Sequence, residues 1–299
     1  MAHYLDPKND LTFKRVFGEH KHLCMSLINS MLPLENPVVS LEYQSGELVP
    51  EVEILRNSFV DVRCTDGNGQ QFLVEMQFIW YDAFKNRVLF NASKAYVRQL
   101  DKAKEFKLLK PVYSLNFIND SFEKSPEMHD EYYHHYKIVN IKDTEKQIKG
   151  LEFVFLELPK FKPQNRAEKK LHELWLRFLT EIDENTDEVP EEMMINEDIR
   201  EAVGYMEIGA YTKAQLEQYD KVKIDIISAL SMLDEAKTKG RTEGEAIGEQ
   251  KKAVTIAQNL LKKGMSKEEV SNITGLSLDE TVRLSAKQNP KLGTKQDAE

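Results

Sequence analysis

The stretch FVDVRCTDGNGQQFLVEMQF, residues 59–78, most constrains how this chain can fold. Apolar and polar residues alternate on both sides of DGNG, a sequence that favours a tight turn. The stretch therefore predicts an antiparallel hairpin whose side chains point alternately to opposite faces. Glu75 and Gln77 then share one face of the second strand, and Asp61 on the first strand converges on that face. Polar residues in mid-strand mark this face as a candidate site.

The segments around the hairpin show helical and strand patterns that indicate a mixed sheet covered by helices. A first helix is predicted to begin at Asn9 or Asp10 and to end at Gly18, and a second to span His20 to Met31. Residues 82–106 predict a long helix, because their apolar residues are helically spaced and neither Pro nor Gly interrupts them. Further strands are predicted at residues 38–43, 51–55, 112–119, 132–141 and 151–158. The fold class is α/β, with this domain at residues 1–162.

The remainder of the chain is predominantly helical by pattern. Gly240, Gly244 and Gly248 lie four residues apart in a highly charged segment, which is expected to form either a polar helix or a linker. Ser266 and Ser277 each begin a capping box, a signature of a helix N-terminus. The last helices resemble a helix-turn-helix of resolvase type or are unrelated short helices. We expect a helical extension over residues 163–236, the glycine-spaced segment over 237–252, short helices over 253–287 and a disordered tail over 288–299.

Charge and composition narrow the functional classes. The chain carries 41 Lys and Arg against 50 Asp and Glu, and its net charge of -9 argues against a protein that coats nucleic acid. An enzyme with one local basic face remains compatible with that charge. No apolar run approaches the ~20 residues of a membrane-spanning helix, and the N-terminal MAHYLDPKND lacks a hydrophobic signal core. Because the 2 cysteines cannot form a disulfide framework either, we expect a cytoplasmic protein with no membrane partner.

The polar residues of the hairpin suit a metal-dependent hydrolase. Two carboxylates that lie close together raise each other's proton affinity unless a cation lies between them. Mg²⁺ prefers one or two carboxylates together with water and phosphate oxygens, and such a metal supports hydrolysis of a phosphodiester. An ordinary half-exposed hairpin with outward-facing charges is the alternative, because acids at alternate strand positions are common.

Several segments together resemble one known family. Asp61 followed by Glu75-Met76-Gln77 is similar to the PD-(D/E)xK nuclease signature, with Gln in place of the Lys. More specifically, the chain resembles the bacterial family of PD-(D/E)xK nuclease transposases, or recombination-promoting nucleases. The resemblance covers nearly the whole chain and implies a restriction-endonuclease-like mixed sheet flanked by helices, with the active site on the hairpin. The matching segments are DPKNDLTFKRVFG, the hairpin itself, RVLFNASKAYVRQL, PVYSLNFI and the glycine-spaced C-terminal region with its TGLS segment.

The resemblance implies roles for the hairpin residues. Asp61 and Glu75 would be metal ligands, with the main-chain carbonyl of Met76 as a third ligand. The cofactor would be Mg²⁺ or another divalent metal such as Mn²⁺. Gln77 would orient the attacking water or a substrate oxygen.

Gln77 departs from the wider superfamily, in which a Lys supplies a positive charge near the attacking hydroxide. An amide can neither supply that charge nor act as a base. Either metal ions alone stabilise the transition state, or a basic residue on a helix contributes, with Lys14, Arg87 and Lys94 as candidates. On this reasoning Gln77→Lys is predicted to preserve or raise cleavage.

Residues outside the hairpin are also implicated by the resemblance. Asp10 matches an acidic residue that related nucleases bring to the metal, and Lys14, one helical turn later, would meet a phosphate. Tyr96 and Gln99 would lie on the helix behind the site. The most basic block of the chain, residues 85–110, follows the hairpin directly, and positions four apart share a helix face. The predicted DNA-binding residues are Lys14, Arg87, Lys94, Arg98 and Lys102, although an ordinary solvated helix is the alternative.

Three functions remain open at this level. The first is a metal-dependent DNA endonuclease linked to recombination or mobile-element transfer. The second is a DNA-binding or interaction protein whose nuclease core has lost its chemistry, and the third is a toxin or anti-phage nuclease. DNA is the expected partner, and the C-terminal helices are a candidate surface for a homo-oligomer.

Overall fold

The computed structural model describes residues 4–48, 58–100, 105–163 and 170–288. The chain divides into two compact units, Met1–Ile226 and Ile227–Glu299. The first unit contains the β-sheets, and the second is helical. Within the described residues, no helix is both long enough and apolar enough to cross a membrane.

A mixed six-stranded sheet forms the centre of the first unit. The strands are β1 Leu41–Gln44, β2 Glu47–Leu48, β3 Ser58–Phe59, β4 Val62–Asp66, β5 Gln71–Gln77, β6 Val112–Ile118, β7 Tyr133–Asn140 and β8 Asp143–Glu157. The strand order of the six-stranded sheet is β1-β4-β5-β6-β8-β7, and β2 pairs with β3 in a separate two-stranded sheet. The central strands β5, β6 and β8 are parallel to one another, whereas the other pairings are antiparallel.

The predicted hairpin is formed by β4 and β5. Its turn is stabilised by Asp66, whose Oδ1 accepts hydrogen bonds from the main-chain N–H groups of Asn68 and Gln70 at 2.9 and 2.8 Å. Gly69 adopts a φ of 83°, which favours glycine. Local turn chemistry therefore sets the register of the two strands.

Helices cover both faces of the six-stranded sheet. The first helix begins where the sequence predicts, since the Asn9 side chain accepts a hydrogen bond from the Leu11 N–H, and it continues as a π-helical turn, Lys14–Gly18. The prediction for the second helix is confirmed to within one residue. The helices are α1 Asp10–Phe13, α2 Lys21–Met31, α3 Phe84–Val97, α4 Leu171–Glu181, α5 Glu191–Met194, α6 Glu197–Gly204, α7 Lys213–Lys262, α8 Lys267–Thr274 and α9 Leu278–Gln288.

The two faces of the sheet bury different clusters. On one face, Val62 and Val74 of the hairpin belong to the large core that includes Phe17, Trp175 and Phe178 from the helices. On the other face, α3 packs against the sheet through smaller clusters, of which one contains Val60, Leu73, Ala92, Ala95 and Val112. The result is a three-layer arrangement in which α3 covers the face that carries Glu75.

The long helix after the hairpin is shorter than the sequence predicts. The predicted span of residues 82–106 is wrong at its C-terminal end, because α3 ends at Val97 and residues 106–108 form a separate 3₁₀ turn. Gln99 explains part of the change of direction, because its side-chain amide donates to the Lys110 carbonyl at 3.0 Å and accepts from the Lys110 N–H at 2.8 Å. These bonds draw the chain back to the start of β6. The strand predicted at residues 51–55 lies outside the described residues.

The C-terminal unit is helical throughout its described part. Helix α7 continues without interruption through residues 237–252, and an added Cβ at Gly240, Gly244 or Gly248 would meet no atom within 4 Å. Ser266 forms the predicted capping box with Glu269 at the start of α8, and Gly275 ends that helix with a φ of 70°. Ala257, Val270 and Leu276 form the small core between these helices. The tail predicted at residues 288–299 lies outside the described residues, apart from Gln288, the last residue of α9.

Candidate active site

The hairpin brings the predicted polar residues to one end of the two strands. Asp61 lies at a bend immediately before β4, and Glu75 and Gln77 lie near the end of β5. Because Val62 pairs in register with Val74, Asp61 lies across from Glu75. The structure therefore brings the two carboxylates together, as the alternation of the sequence predicts.

Helix α3 supplies direct partners to Glu75 and Gln77. Arg87 Nη2 donates to Glu75 Oε2 at 3.0 Å and to Gln77 Oε1 at 2.8 Å. Asn91, one helical turn later, donates from Nδ2 to the other oxygen of Glu75 at 3.2 Å. The amide nitrogen of Gln77 donates to the Ile79 carbonyl at 2.8 Å. Both oxygens of Glu75 and both polar atoms of Gln77 are thus hydrogen-bonded.

Asp61 is held by the main chain and by the first helical segment. Its Oδ2 accepts a hydrogen bond from the Met76 N–H at 2.7 Å, and its Oδ1 lies 3.8 Å from Lys14 Nζ. Lys14 Nζ also lies 2.6 Å from Asp10 Oδ1. Lys14 therefore bridges the two aspartates, and its side chain and that of Asp10 remain about half exposed.

Burial dominates the electrostatics of the two hairpin carboxyls. Burial raises the pKa of Glu75 to about 7, and the nearby Asp61 charge adds to the rise, while Arg87 and Asn91 oppose it. Burial also raises the pKa of Asp61, and the Met76 N–H and the Lys14 ammonium oppose that rise. Both carboxylates are thus costly to ionise where they lie, and a further cation near them would lower that cost.

The donor set fits a hard divalent cation. Asp61 and Glu75 offer carboxylate oxygens, and Met76 between Glu75 and Gln77 offers a main-chain carbonyl, the kinds of ligand that Mg²⁺ takes. In the described part of the chain, no three His, Cys, Asp or Glu side chains come close enough together to hold a metal ion. The site thus suits a cation that takes one or two carboxylates and completes its shell with water and substrate oxygens.

The basic residues predicted to bind DNA lie in different environments. Arg87 is engaged with Glu75 and Gln77, so its guanidinium belongs to the carboxylate site. Lys94 lies on α3 with its Nζ 4.6 Å from the centre of the Phe90 ring, and Arg98 follows the last residue of the helix. Lys102 lies outside the described residues.

Two residues that the resemblance placed behind the site have structural contacts elsewhere. Tyr96 packs against the cluster of Leu73 and Ala95 between α3 and the sheet, and it lies close to Gly150 on β8. Gln99 lies beyond the end of α3 and bonds to Lys110, so its predicted position on the helix is wrong. Neither has a described contact with the carboxylates.

Sequence reasoning missed Asn91. This side chain is fully buried on the face of α3 that packs on the sheet, between Val88 and Ala95. A polar residue at a position where helical periodicity requires an apolar one is the signal that could have identified it.

Comparison with models of known protein families shows to which family the chain belongs. The family model for PD-(D/E)XK nuclease family transposases matches residues 7–236. The chain belongs to this family. A second model, for the C-terminal helix-turn-helix domain of the Rpn/YhgA-like nuclease family, matches residues 250–285, the segment that contains α8 and most of α9. Neither the curated proteins nor the solved structures provide a match.

Membership of the PD-(D/E)XK nuclease family transposases confirms the resemblance seen in the sequence. Membership also agrees with the fold of the chain, a mixed six-stranded sheet flanked by helices. The helix-turn-helix match supports DNA binding and favours that interpretation of the C-terminal helices over unrelated short helices.

Proposed function

We propose that the protein is a metal-dependent endonuclease that hydrolyses phosphodiester bonds of DNA, in recombination or mobile-element transfer. The observation that carries the proposal is the pair of carboxylates, the buried Glu75 and the half-buried Asp61, that face each other across the hairpin next to Gln77. The family match supports a nuclease, and the match of the C-terminal domain supports DNA as the partner.

The carboxylates would hold the cofactor. Asp61, Glu75 and the Met76 carbonyl would bind Mg²⁺ or a similar divalent ion such as Mn²⁺. When bound, such an ion would favour deprotonation of the attacking water and stabilise negative charge on the phosphodiester. The Met76 N–H orients Asp61, and Asn91 orients Glu75, so both carboxylates are positioned before substrate arrives.

Arg87 would supply the positive charge that Gln77 lacks. Its guanidinium donates to the Gln77 side chain at 2.8 Å, close to the position of the superfamily lysine. Gln77 is then a positioning residue that holds Arg87, because its amide is fully used within the protein. A guanidinium at this position would stabilise negative charge on a phosphoryl group as it develops.

Asp10 and Lys14 would form the outer part of the site. Lys14 neutralises Asp61 in the metal-free protein and would meet a substrate phosphate once the metal takes over that role. Asp10 holds Lys14 in position. We assign catalysis to residues 1–162 and DNA recognition to residues 253–287. The helical extension, residues 163–236, and the glycine-spaced segment, residues 237–252, connect these two parts of the chain.

A plasmid-nicking assay on the purified protein tests the proposal. Mg²⁺-dependent conversion of supercoiled to nicked DNA is expected from the wild type and is expected to fall by orders of magnitude in Asp61→Ala and Glu75→Ala. Glu42→Ala is the matched control, because this exposed β1 carboxylate pairs with Lys21 away from the site. Wild-type rates in both site variants, with unchanged circular dichroism, contradict the assignment.

A DNA-binding protein without cleavage activity is the second candidate. The observation that favours it is that each carboxylate already has a cationic neighbour, Lys14 at 3.8 Å from Asp61 and Arg87 at 3.0 Å from Glu75. Such a protein would bind DNA equally well with EDTA, Mg²⁺ or Mn²⁺ and would leave plasmid intact in all three.

A further inference from the structure

The loop between β5 and α3 carries two adjacent aromatic residues, Trp80 and Tyr81. The main-chain N–H of Trp80 donates to Asp120 Oδ2 at 3.0 Å, and the Trp80 ring stacks on the Phe122 ring with 4.3 Å between their centroids. The Tyr81 carbonyl accepts a hydrogen bond from the Phe84 N–H at 2.8 Å, at the start of α3. These contacts hold the main chain at Tyr81 in a defined position.

The ring of Tyr81 borders the guanidinium of Arg87. Arg87 Cζ lies 5.8 Å from the centre of the Tyr81 ring, a distance at which a guanidinium and an aromatic ring attract each other. The same guanidinium donates to Glu75 at 3.0 Å and to Gln77 at 2.8 Å. Phe84 packs against the Tyr81 ring in a T-shaped arrangement, with 5.8 Å between the centroids. One guanidinium therefore connects the Tyr81 ring with the candidate metal site.

Tyr81 is the exposed member of this aromatic group. It is 40% exposed, whereas Phe84 is fully buried and the Trp80 ring is engaged by Phe122. Single exposed aromatic residues are common on protein surfaces, so exposure alone assigns no role. The position of Tyr81 beside Arg87 does, because Arg87 is the side chain expected to meet the phosphate that is hydrolysed.

Every phosphate of a DNA strand is joined through its sugar to a nucleobase. Aromatic side chains stack on nucleobases with little regard to sequence, because every base has a π-face. Within a paired duplex the neighbouring base pairs cover these faces, so a protein ring stacks only on a base that has left the helix or was never paired. Taking a base out of the stack costs least where the base is mismatched or already single-stranded.

We propose that Tyr81 stacks on an unpaired nucleobase next to the phosphodiester that Arg87 contacts. The preferred substrate is then DNA with an unpaired base beside the bond that is cleaved. The proposal rests on the proposed nuclease function and deepens it by naming the class of DNA. Tyr81 is a specificity-determining residue in this assignment, through its ring and not its hydroxyl group.

Binding of the full-length protein to three DNA duplexes of one sequence tests the proposal, with Ca²⁺ in place of Mg²⁺ to limit cutting. One duplex is fully paired, one carries a single bulged thymine, and one carries an abasic nucleotide at the bulge. The wild type is expected to bind the bulged base roughly tenfold more tightly than the abasic bulge, as for one base stacked on an aromatic side chain. The two bulged duplexes both lack a paired nucleotide at the same position, so the ratio of their affinities reports on the base rather than on DNA bending. The fully paired duplex is expected to bind no more tightly than the abasic one.

Variants of Tyr81 identify the group that stacks. Tyr81→Ala is expected to make the two bulged duplexes bind equally, whereas Tyr81→Phe keeps the ring and the wild-type preference. Tyr81→Leu keeps an apolar contact with Phe84 but has no aromatic face, and it is expected to behave as Tyr81→Ala does. Tyr81→Leu also keeps the test valid if Tyr81→Ala does not fold, which far-UV circular dichroism checks.

Phe106→Ala is the matched control. Phe106 is also an exposed aromatic residue, but it precedes β6 at the end of the sheet where the parallel strand β5 begins, and Glu75 lies near the other end of β5. This variant is expected to keep the wild-type preference for the bulged base.

The remaining outcomes separate the stacking proposal from the nuclease itself. A wild type that binds both bulged duplexes equally, or binds none of the three, overturns the proposal. A wild-type preference in Tyr81→Ala and Tyr81→Leu overturns it too, and loss of the preference in Tyr81→Phe would assign the contact to the hydroxyl group instead. A wild type that shows the preference but leaves plasmid intact in Mg²⁺ overturns the nuclease and leaves the stacking site standing. Plasmid cutting without the preference does the reverse.

Discussion

Replacement of Glu75 by Gln measures the energetic cost of the buried carboxylate. Glu75 is 3% exposed and accepts hydrogen bonds from Arg87 and Asn91. Gln at this position keeps the shape and remains neutral. Its amide group could also donate to Asn91 Oδ1, which is buried without a partner, if the Asn91 amide rotates. The variant therefore mimics the protonated form of Glu75 at every pH.

The expected magnitude follows from the pKa. Burial raises the pKa of Glu75 from 4.5 to about 7, and each unit corresponds to about 1.4 kcal/mol. Because the folded-state pKa is above the unfolded one, the folded protein binds the proton more tightly between these values. The contribution of Glu75 to stability is thus greatest below pH 4.5, declines as pH rises to 7 and is constant above. Relative to the wild type, Glu75→Gln should gain about 3 kcal/mol between pH 4.5 and pH 8.

Urea unfolding in EDTA, followed by tryptophan fluorescence from pH 4.5 to 8, measures this difference. Both tryptophans, Trp80 and Trp175, lie in the first compact unit, so the signal reports on the unit that contains Glu75. The exposed Glu42→Gln variant is the control and should follow the wild type at all pH values. A difference between Glu75→Gln and the wild type that does not change with pH would refute the reasoning.

Three further predictions concern neighbouring residues and the C-terminal unit. Gln77→Lys should lower the rate of cleavage, contrary to the expectation from sequence. The lysine ammonium would repel Arg87, and the Arg87 guanidinium would lose the acceptor oxygen of Gln77. An initial nicking rate at or above that of the wild type contradicts this prediction. Asn91→Ala should reduce the free energy of unfolding of the first unit by about 1–2 kcal/mol through the lost bond to Glu75, measured by the same fluorescence assay, and an unchanged urea midpoint counts against it. Ser266→Ala should destabilise α8 by about 1 kcal/mol, because the hydroxyl that accepts a hydrogen bond from the Glu269 N–H is lost. Amide hydrogen exchange in residues 267–274 should quicken, and unchanged protection would show that the cap is unimportant.

Local patterns in the sequence determine the hairpin and the face that each side chain takes. Alternation and the DGNG turn assign Asp61 and Glu75 to the same face of neighbouring strands, and the pairing of Val62 with Val74 in the structure supplies the register in which they lie opposite each other. The cap at Asn9 and the capping box at Ser266 are equally local, because each involves residues within one helical turn. These features could be predicted for the same reason.

The end of α3 could not be predicted from local pattern. Residues 98–106 continue the helical composition, yet the helix ends at Val97. The bonds between Gln99 and Lys110 involve the start of the next strand, whose position is set by its parallel pairing with β5. The helical propensity of a few residues stabilises a helix only weakly compared with the hydrogen bonding and packing of a central strand.

Only the tertiary structure decided which basic side chain serves which part of the site. The sequence offers Lys14, Arg87 and Lys94 as equivalent candidates near the carboxylates, and their spacing does not distinguish them. The rotation of α3 about its axis, set by burial of its apolar face, turns Arg87 towards Glu75 and Gln77. Contacts between elements depend on packing across the sheet, and this packing has no periodic signal in the sequence.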